Sequence, residues 1–446
     1  MFDNTVPPPA LLDARQVEGW VERLASAAGP GDDAGRVELL AALERLGCAA
    51  AGLQAEVTAE LDTSVRGREA DRGVRQERRG RGVGAEVALA RRESHHRGKQ
   101  HVGLARILVD EMPCTRRALR EGRICEWKAT ILARETACLS LEDRQVVDRR
   151  LAGDLDRLEK RGARDLEGAA RKLAGELDAA ACVLRRRVAE SERRVTLRPV
   201  PDTMTRLSAE LPMATGIAVF KSLSDAADTA RAQGDSRSRH QVMADTLAER
   251  VLGTAQAVAV PVEIELVVSD QVLLGTREDA AYLEGAVPIP AELARELAKH
   301  ADEQGLATLR RLYRSPDTGQ LVAMDSRSRC FQGGLARFIR LRDRTCRTPW
   351  CDAPIRHTDH SEPVADDGET SGVNGEGLCE ACNYAKQALG WSVTVVQTEP
   401  HTVEIRTPTG QVHRSTAPPL PGHVPRPTPP RGAVPHVDLA FPYTAA

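Results

Sequence analysis

Apolar residues recur every three to four positions over long stretches of this chain, a spacing that predicts helices. From about 15 to 62, as in VELLAALERLGCAAAGLQAEVTAEL, the pattern breaks at Gly29-Pro30-Gly31-Asp32, so two helices are predicted. Residues 66–82, RGREADRGVRQERRGRG, nearly lack large apolar groups. They read as a solvated loop or a poorly ordered connection, with a DNA-contacting basic arm as the less favoured alternative. Helical spacing resumes between 83 and 192, interrupted at Met112-Pro113 and at Glu121-Gly122-Arg123, which predicts several short helices. Within it, Val102 to Leu132 has the outline of a helix-turn-helix, although plain helix packing explains it better.

At 193 the period changes. RRVTLRPVPDTMTRLSAEL alternates apolar and polar residues around Pro201-Asp202 and predicts a strand pair. Helices are expected again at about 213–232 and 238–252, a β-rich run at 260–269, and a hairpin over 309–326 turning at Pro316-Asp317-Thr318-Gly319. FQGGLARFIRLRD, residues 331–343, reads as an amphipathic helix. After Trp391 comes a short strand-like segment, and then PPLPGHVPRPTPPRGAVP, whose proline density predicts an extended, disordered tail. The resulting fold class is mostly α with a mixed α+β middle region. Its expected divisions are a helical domain over 1–192, a mixed continuation over 193–330, a cysteine-rich module over 331–395 and a tail over 396–446.

Composition changes this picture only modestly. With 446 residues, 41% hydrophobic and 28% charged, the chain can bury a core, and 3% aromatic residues leave that core to Leu, Val and Ala. The net charge of -2 hides a bias, because Lys stands at only seven positions among 62 basic residues, leaving 62 − 7 = 55 Arg. Arginine suits phosphate, but a GC-rich genome gives the same excess. No apolar run approaches the length of a membrane span, and the amino end lacks a basic region followed by an apolar one, so a cytoplasmic protein is expected. Cys48, Cys114, Cys125, Cys138, Cys182 and Cys330 are scattered and read as reduced core residues.

The other four cysteines are clustered. Cys346-x4-Cys351 and Cys379-x2-Cys382 form two close pairs, the pattern of a tetrahedral structural zinc site. Between and beside them lie Asp359, His360, Asn374 and Asn383, harder oxygen and nitrogen groups that suit a catalytic divalent cation. Asp359 and His360 point to opposite faces of a strand, so both serve one phosphate only if the strand ends there, and Pro363 favours an ending. On a helix Asn383 is turned about 100° from Cys382, letting one helix serve two metal sites. Lys386 falls near Asn383 and is a candidate phosphate contact. His357 shares a strand face with Asp359 and is a candidate metal or DNA contact.

On these residues the segment resembles an HNH endonuclease of the ββα-metal type. The resemblance implies that His360 is the general base, that Asn374 is the central Asn bracing the loop, and that Asp359 and Asn383 hold the catalytic ion. Asn383 stands where the family more often has the stronger ligand His, and Gly390-Trp391 matches a common closing pair. RRVTLRPVPDTMTRLSAELP, SRSRHQVMADTLAERVL and the basic hairpin before the cysteines extend the resemblance to the actinobacterial 13E12-repeat family. Its proteins join a helical domain of unknown function to a carboxy-terminal HNH module.

The expected activity is metal-dependent hydrolysis of DNA phosphodiester bonds. A structural Zn²⁺ and a catalytic Mg²⁺ or Mn²⁺, or alternatively Ni²⁺ or Zn²⁺, are the implied metals; no small-molecule cofactor and no membrane partner are expected. Arg337, Arg340, Arg342, Arg344 and Arg347 are expected to face the phosphates. The alternative is a weak or inactive zinc-stapled DNA-binding module attached to a helical interaction or regulatory domain.

Overall fold

The structure, a computed structural model, describes residues 12–202, 204–253, 266–283, 288–303, 312–315, 317–324 and 331–421. From the amino end run α1 (Ala14–Ser26), α2 (Asp33–Asp71), α3 (Val83–Arg91), α4 (His95–Arg106), α5 (Pro113–Arg120), α6 (Glu126–Glu135), α7 (Leu141–Ala152), α8 (Leu155–Glu159), α9 (Ala163–Leu177) and α10 (Ala179–Ser191). The break at residues 29–32 falls between α1 and α2, as the spacing predicts. One expectation needs correcting: residues 66–71 are not loop but the end of α2. Arg and Glu are good helix formers, and the Asp62 carboxylate takes Arg66 Nε at 3.0 Å one turn on, so the helix continues without an apolar stripe.

The chain divides into two compact units. The first comprises the described residues through Leu61 together with Gly103–Val183. Leu108, Met112, Leu119, Leu132, Val147, Leu158 and Leu166 fill its core. Met112-Pro113, read as a break, is a helix start: Pro113 sits in the first turn of α5, where no N–H is needed. Its free N–H groups meet the buried Asp148 carboxylate, which accepts from Cys114 N at 2.7 Å, Thr115 N at 2.9 Å and Thr115 Oγ1 at 2.6 Å. An anion at a helix amino end satisfies orphan donors and the helix dipole together.

The second unit comprises Asp62–Val102 and everything described from Leu184 onward. It opens with the hairpin of β1 (Arg194–Val200) and β2 (Met204–Glu210), paired from Arg194↔Glu210 to Val200↔Met204 around the expected turn. Next come α11 (Met213–Ala232) and α12 (Arg239–Leu252), which pack through Ala227, Val242 and Met243. A small sheet follows, made of β3 (Leu266–Val267), β4 (Ala281–Leu283) and β5 (Pro288–Ile289), with α13 (Asp270–Leu273) and α14 (Ala291–Glu303). Residues 260–265 of the expected β-rich run, and Cys330, lie outside the described residues. The second expected hairpin is β6 (Leu312–Arg314) with β7 (Leu321–Met324). Then come α15 (Phe331–Asp343), the hairpin of β8 (His357–His360) and β9 (Gly375–Leu378), and α16 (Glu380–Lys386).

After Trp391 the chain makes more than a short strand. Strands β10 (Ser392–Thr398), β11 (His401–Arg406) and β12 (Val412–Thr416) form an antiparallel meander. Val393, Val403 and Ile405 are buried beneath it, with Val395 and Trp391 against them. Threonine, Glu and Arg alternate with them on the other face. The proline-rich tail lies, from residue 422, outside the described residues.

Candidate metal centre and adjoining polar cluster

The four clustered cysteines converge. Their sulfur atoms all lie within 4.8 Å of one another, and all four residues are buried. Cys351 Sγ stands 3.8 Å from Cys379 Sγ and 3.7 Å from Cys382 Sγ. Four sulfurs each about 2.3 Å from one tetrahedral ion are about 3.8 Å apart, so the spacing is that of a zinc shell. The local chain explains it. Cys379 is the N-cap of α16 and its sulfur accepts from Cys382 N–H at 3.4 Å, which puts the second pair on one helical turn. Trp350, with φ 61°, turns the chain between the first pair, and Cys346 N–H donates to Ala353 O at 2.9 Å. Thiol donors around Cys379, from Cys346 first, favour its thiolate. The donor set therefore fits a structural metal such as zinc.

The hairpin and α16 build the second cluster. Asp359 lies opposite Glu376 and His357 opposite Leu378, so these four share the sheet face on which α16 rests. Asn383 and Lys386, one turn apart on α16, meet His357 and Asp359, two residues apart on β8. Asn383 Nδ2 donates to His357 Nδ1 at 2.9 Å, and the His357 ring stands edge-on to Tyr384. Lys386 Nζ donates to His360 O at 2.6 Å and Glu376 Oε1 at 2.9 Å, and it lies 3.0 Å from Asp359 Oδ2. Among the described residues, Asn383 Oδ1 and Glu376 Oε2 on this face are buried and have no partner.

β8 ends at His360, as Pro363 suggests, and the ending brings His360 Nδ1 to 3.8 Å from Asp359 Oδ1 despite their alternate faces. The other ring nitrogen, Nε2, is 2.7 Å from Thr370 Oγ1. Asn374 ties the intervening loop together. Its Oδ1 accepts from Glu362 N at 2.9 Å, and its Nδ2 donates to Glu362 O at 3.0 Å and Glu369 O at 2.9 Å. Its backbone carbonyl takes Ser361 N–H at 2.7 Å. These are bracing contacts.

Burial pushes the two acids up, and the outcomes differ. At Asp359 the nearby Lys386 ammonium and the His360 N–H outweigh burial, so the carboxyl is held below its usual range. At Glu376, fully enclosed, burial outweighs Lys386 and the carboxyl rises. The sequence reading missed Glu376. Its signal was the hairpin register, since an acid in Gly-Glu-Gly falls opposite Asp359.

The arginines expected on phosphate are largely structural. Arg342 is buried; it grips Asp343 at 2.7 Å and 3.0 Å and donates to the carbonyls of Gly372 and Gly375 at 2.5 and 2.6 Å. Asp343 in turn accepts from Gly377 N–H at 2.8 Å. Arg347 is also buried, donating to His401 O at 3.3 Å and Ser415 O at 2.5 Å, so it is not placed to meet a ligand. Arg344 stacks over Tyr282 at 4.1 Å and donates to Pro419 O. Lys386, expected near phosphate, spends its ammonium on the three oxygens named above. Arg340 is exposed.

A mostly helical protein carrying small sheets and a four-sulfur group fit for metal is the class these features define. A family model described as "Domain of unknown function (DUF222)" matches residues 34–343, and the chain belongs to that family. The match stops three residues short of Cys346, so the four-sulfur group and the adjoining polar cluster lie beyond it. No curated protein and no solved structure matches the chain. No described helix is long and apolar enough to cross a membrane.

Proposed function

We propose that the chain is a metal-dependent HNH endonuclease hydrolysing DNA phosphodiester bonds, with residues 331–395 as a zinc-stapled ββα-metal module. The observation that carries this reading is Asn383 Oδ1. It is a buried acceptor without a partner, on the same turn of α16 whose Lys386 reaches the ionised Asp359. An unsatisfied buried oxygen costs free energy unless something occupies it. A divalent cation held by Asp359 and Asn383 meets that need. When bound, the ion supplies Lewis-acid stabilisation of charge on the phosphate oxygens.

The chain's own residues do the rest. His360 Nε2 is engaged by Thr370, which leaves Nδ1, on the Asp359 side, as the atom that takes a proton from water. Asn374 fixes the loop that carries Thr370, and so fixes the imidazole. Lys386 holds the end of β8 through the His360 carbonyl.

One observation favours a second reading, a module that binds DNA without cutting it. Both Asp359 oxygens already have partners, Oδ2 in Lys386 and Oδ1 in the His360 N–H. Plasmid nicking in Mg²⁺ or Mn²⁺ separates the two. The endonuclease reading expects nicking that falls 10²- to 10⁴-fold, roughly, in His360→Ala with zinc content unchanged. Absence of nicking by the unaltered protein under every ion, with DNA still bound, establishes the second reading.

A further inference from the structure

Between the end of α2 and the start of α3 the chain carries Arg72, Arg75, Arg78, Arg79 and Arg81 against a single acid, Glu77. The segment is fastened, not loose. Gly73, at φ 74°, turns it, and Val74 N–H returns to Glu69 O at 2.9 Å. The buried Glu69 side chain then accepts Gly80 N–H at 2.6 Å across eleven residues. Arg79 closes the loop by donating to Val74 O at 2.7 Å. Arg72, Arg75, Arg78 and Arg81 stay exposed, and none of these four makes an ion pair among the described residues.

The loop is also anchored beside the polar cluster. Gly82, directly after Arg81, packs so closely that a Cβ there would stand 2.6 Å from Trp391 Nε1 and 3.1 Å from Ala388 Cβ. Ala85 lines one pocket with Glu376, Cys382, Lys386 and Trp391. Glu86, buried in α3, accepts from Thr409 N at 3.1 Å. Gly82 and Ala85 thus anchor the carboxy-terminal end of the arginine loop beside α16 and Trp391.

We propose that loop 72–81 is a DNA-backbone contact surface built into the family domain, with Arg72, Arg75, Arg78 and Arg81 taking phosphates on the duplex that enters the polar cluster. The inference rests on the endonuclease reading for its partner. Guanidinium groups on a preorganised loop suit phosphate oxygens, and contacts of this kind fix register without reading bases. This assigns to loop 72–81 a phosphate contact that the buried Arg342 and Arg347 are not placed to make.

The test uses the full chain and a short labelled DNA duplex, with affinity read by fluorescence anisotropy over a range of salt. Each phosphate contact contributes about 0.9 to the slope of log K against log salt. Replacing Arg72, Arg75, Arg78 and Arg81 together by Gln is expected to flatten that slope by about three to four. Replacing the exposed Arg149, Arg150, Arg157 and Arg164 of the first unit by Gln, the same change in charge, is expected to leave it unaltered. An unchanged slope in the first variant, equal slopes in both variants, or no duplex binding by the unaltered chain overturns the inference. Nicking measured on the same samples keeps the two proposals apart. Cleavage with an unchanged slope sinks the loop and spares the nuclease, whereas a flattened slope without cleavage by any protein does the reverse.

Discussion

The sulfur centre and the oxygen–nitrogen cluster share one helix, yet they are finished to different degrees. The four cysteines stand at the spacing of a tetrahedral shell and are closed off from water. In the other cluster Lys386 holds Asp359 and Glu376, His357 holds Asn383, and Asn383 Oδ1 and Glu376 Oε2 are left over among the described residues. A closed shell serves stability, because the free energy of metal binding goes into folding. The polar cluster, with buried acceptors left over, is where the proposed catalytic cation would have to displace or join partners already inside.

The largest expected effect breaks the comparison at its sulfur end. Stripping the metal with a chelator, or replacing Cys382 by Ser, removes on the order of 10 kcal/mol from the folded module. Thermal melting followed by circular dichroism, with the metal content measured alongside, should show loss of the module's cooperative transition; a transition that persists without metal refutes a structural role. Next in size is the internal cation. Lys386→Met leaves Asp359 and the enclosed Glu376 without their shared ammonium, at a cost of about 4 kcal/mol. Glu376→Gln should cost less, since burial already favours the neutral acid. Urea unfolding ranks the two, and the opposite order removes Lys386 from the scaffold.

A smaller effect sharpens the polar half. His401 is buried, its Nε2 donates to Val373 O at 2.8 Å, and burial lowers its pKa to about 4 from 6.5. Below 6.5 the unfolded chain takes up the proton first, so stability is full above that pH and falls as pH drops toward about 4. The loss is about 3 kcal/mol in total. Because Val373 adjoins Asn374, acid should loosen the brace. Melting temperatures between pH 7 and 4.5 should decline less steeply in His401→Gln; parallel curves would show that other groups govern the acid loss.

Much of this was legible in the sequence, for identifiable reasons. The period of apolar residues marked α1, α2, α11, α12 and α15 and the hairpins at 194–210 and 312–324, because amphipathic packing leaves its period in the chain. Cysteine spacing marked the sulfur centre, because two residues on one knuckle must be close in sequence. Glu376 and the Arg342–Asp343 pair were hidden, because their partners at Lys386 and Gly377 are more than nine residues away and depend on hairpin register. Alternation marks strands but not their pairing, so the meander after Trp391 was legible only as a strand-like segment. Arg342 and Arg347 misled for the opposite reason: a run of like charges beside a metal motif resembles a ligand surface until burial turns the side chains inward.

Asp343 is the last residue of the family match, and its carboxylate receives the Gly377 N–H inside the β8–β9 hairpin. The border of the matched family therefore runs through a shared hydrogen bond. Any gene fusion or truncation that respects that border strips the hairpin of its acceptor, and one that starts later than residue 82 also discards the packing of Gly82 on Trp391. The segment that can be inherited or transplanted whole is discontinuous: it needs a piece from near the amino end together with the carboxy-terminal half. A transplant that keeps both contacts would have to carry both pieces at once.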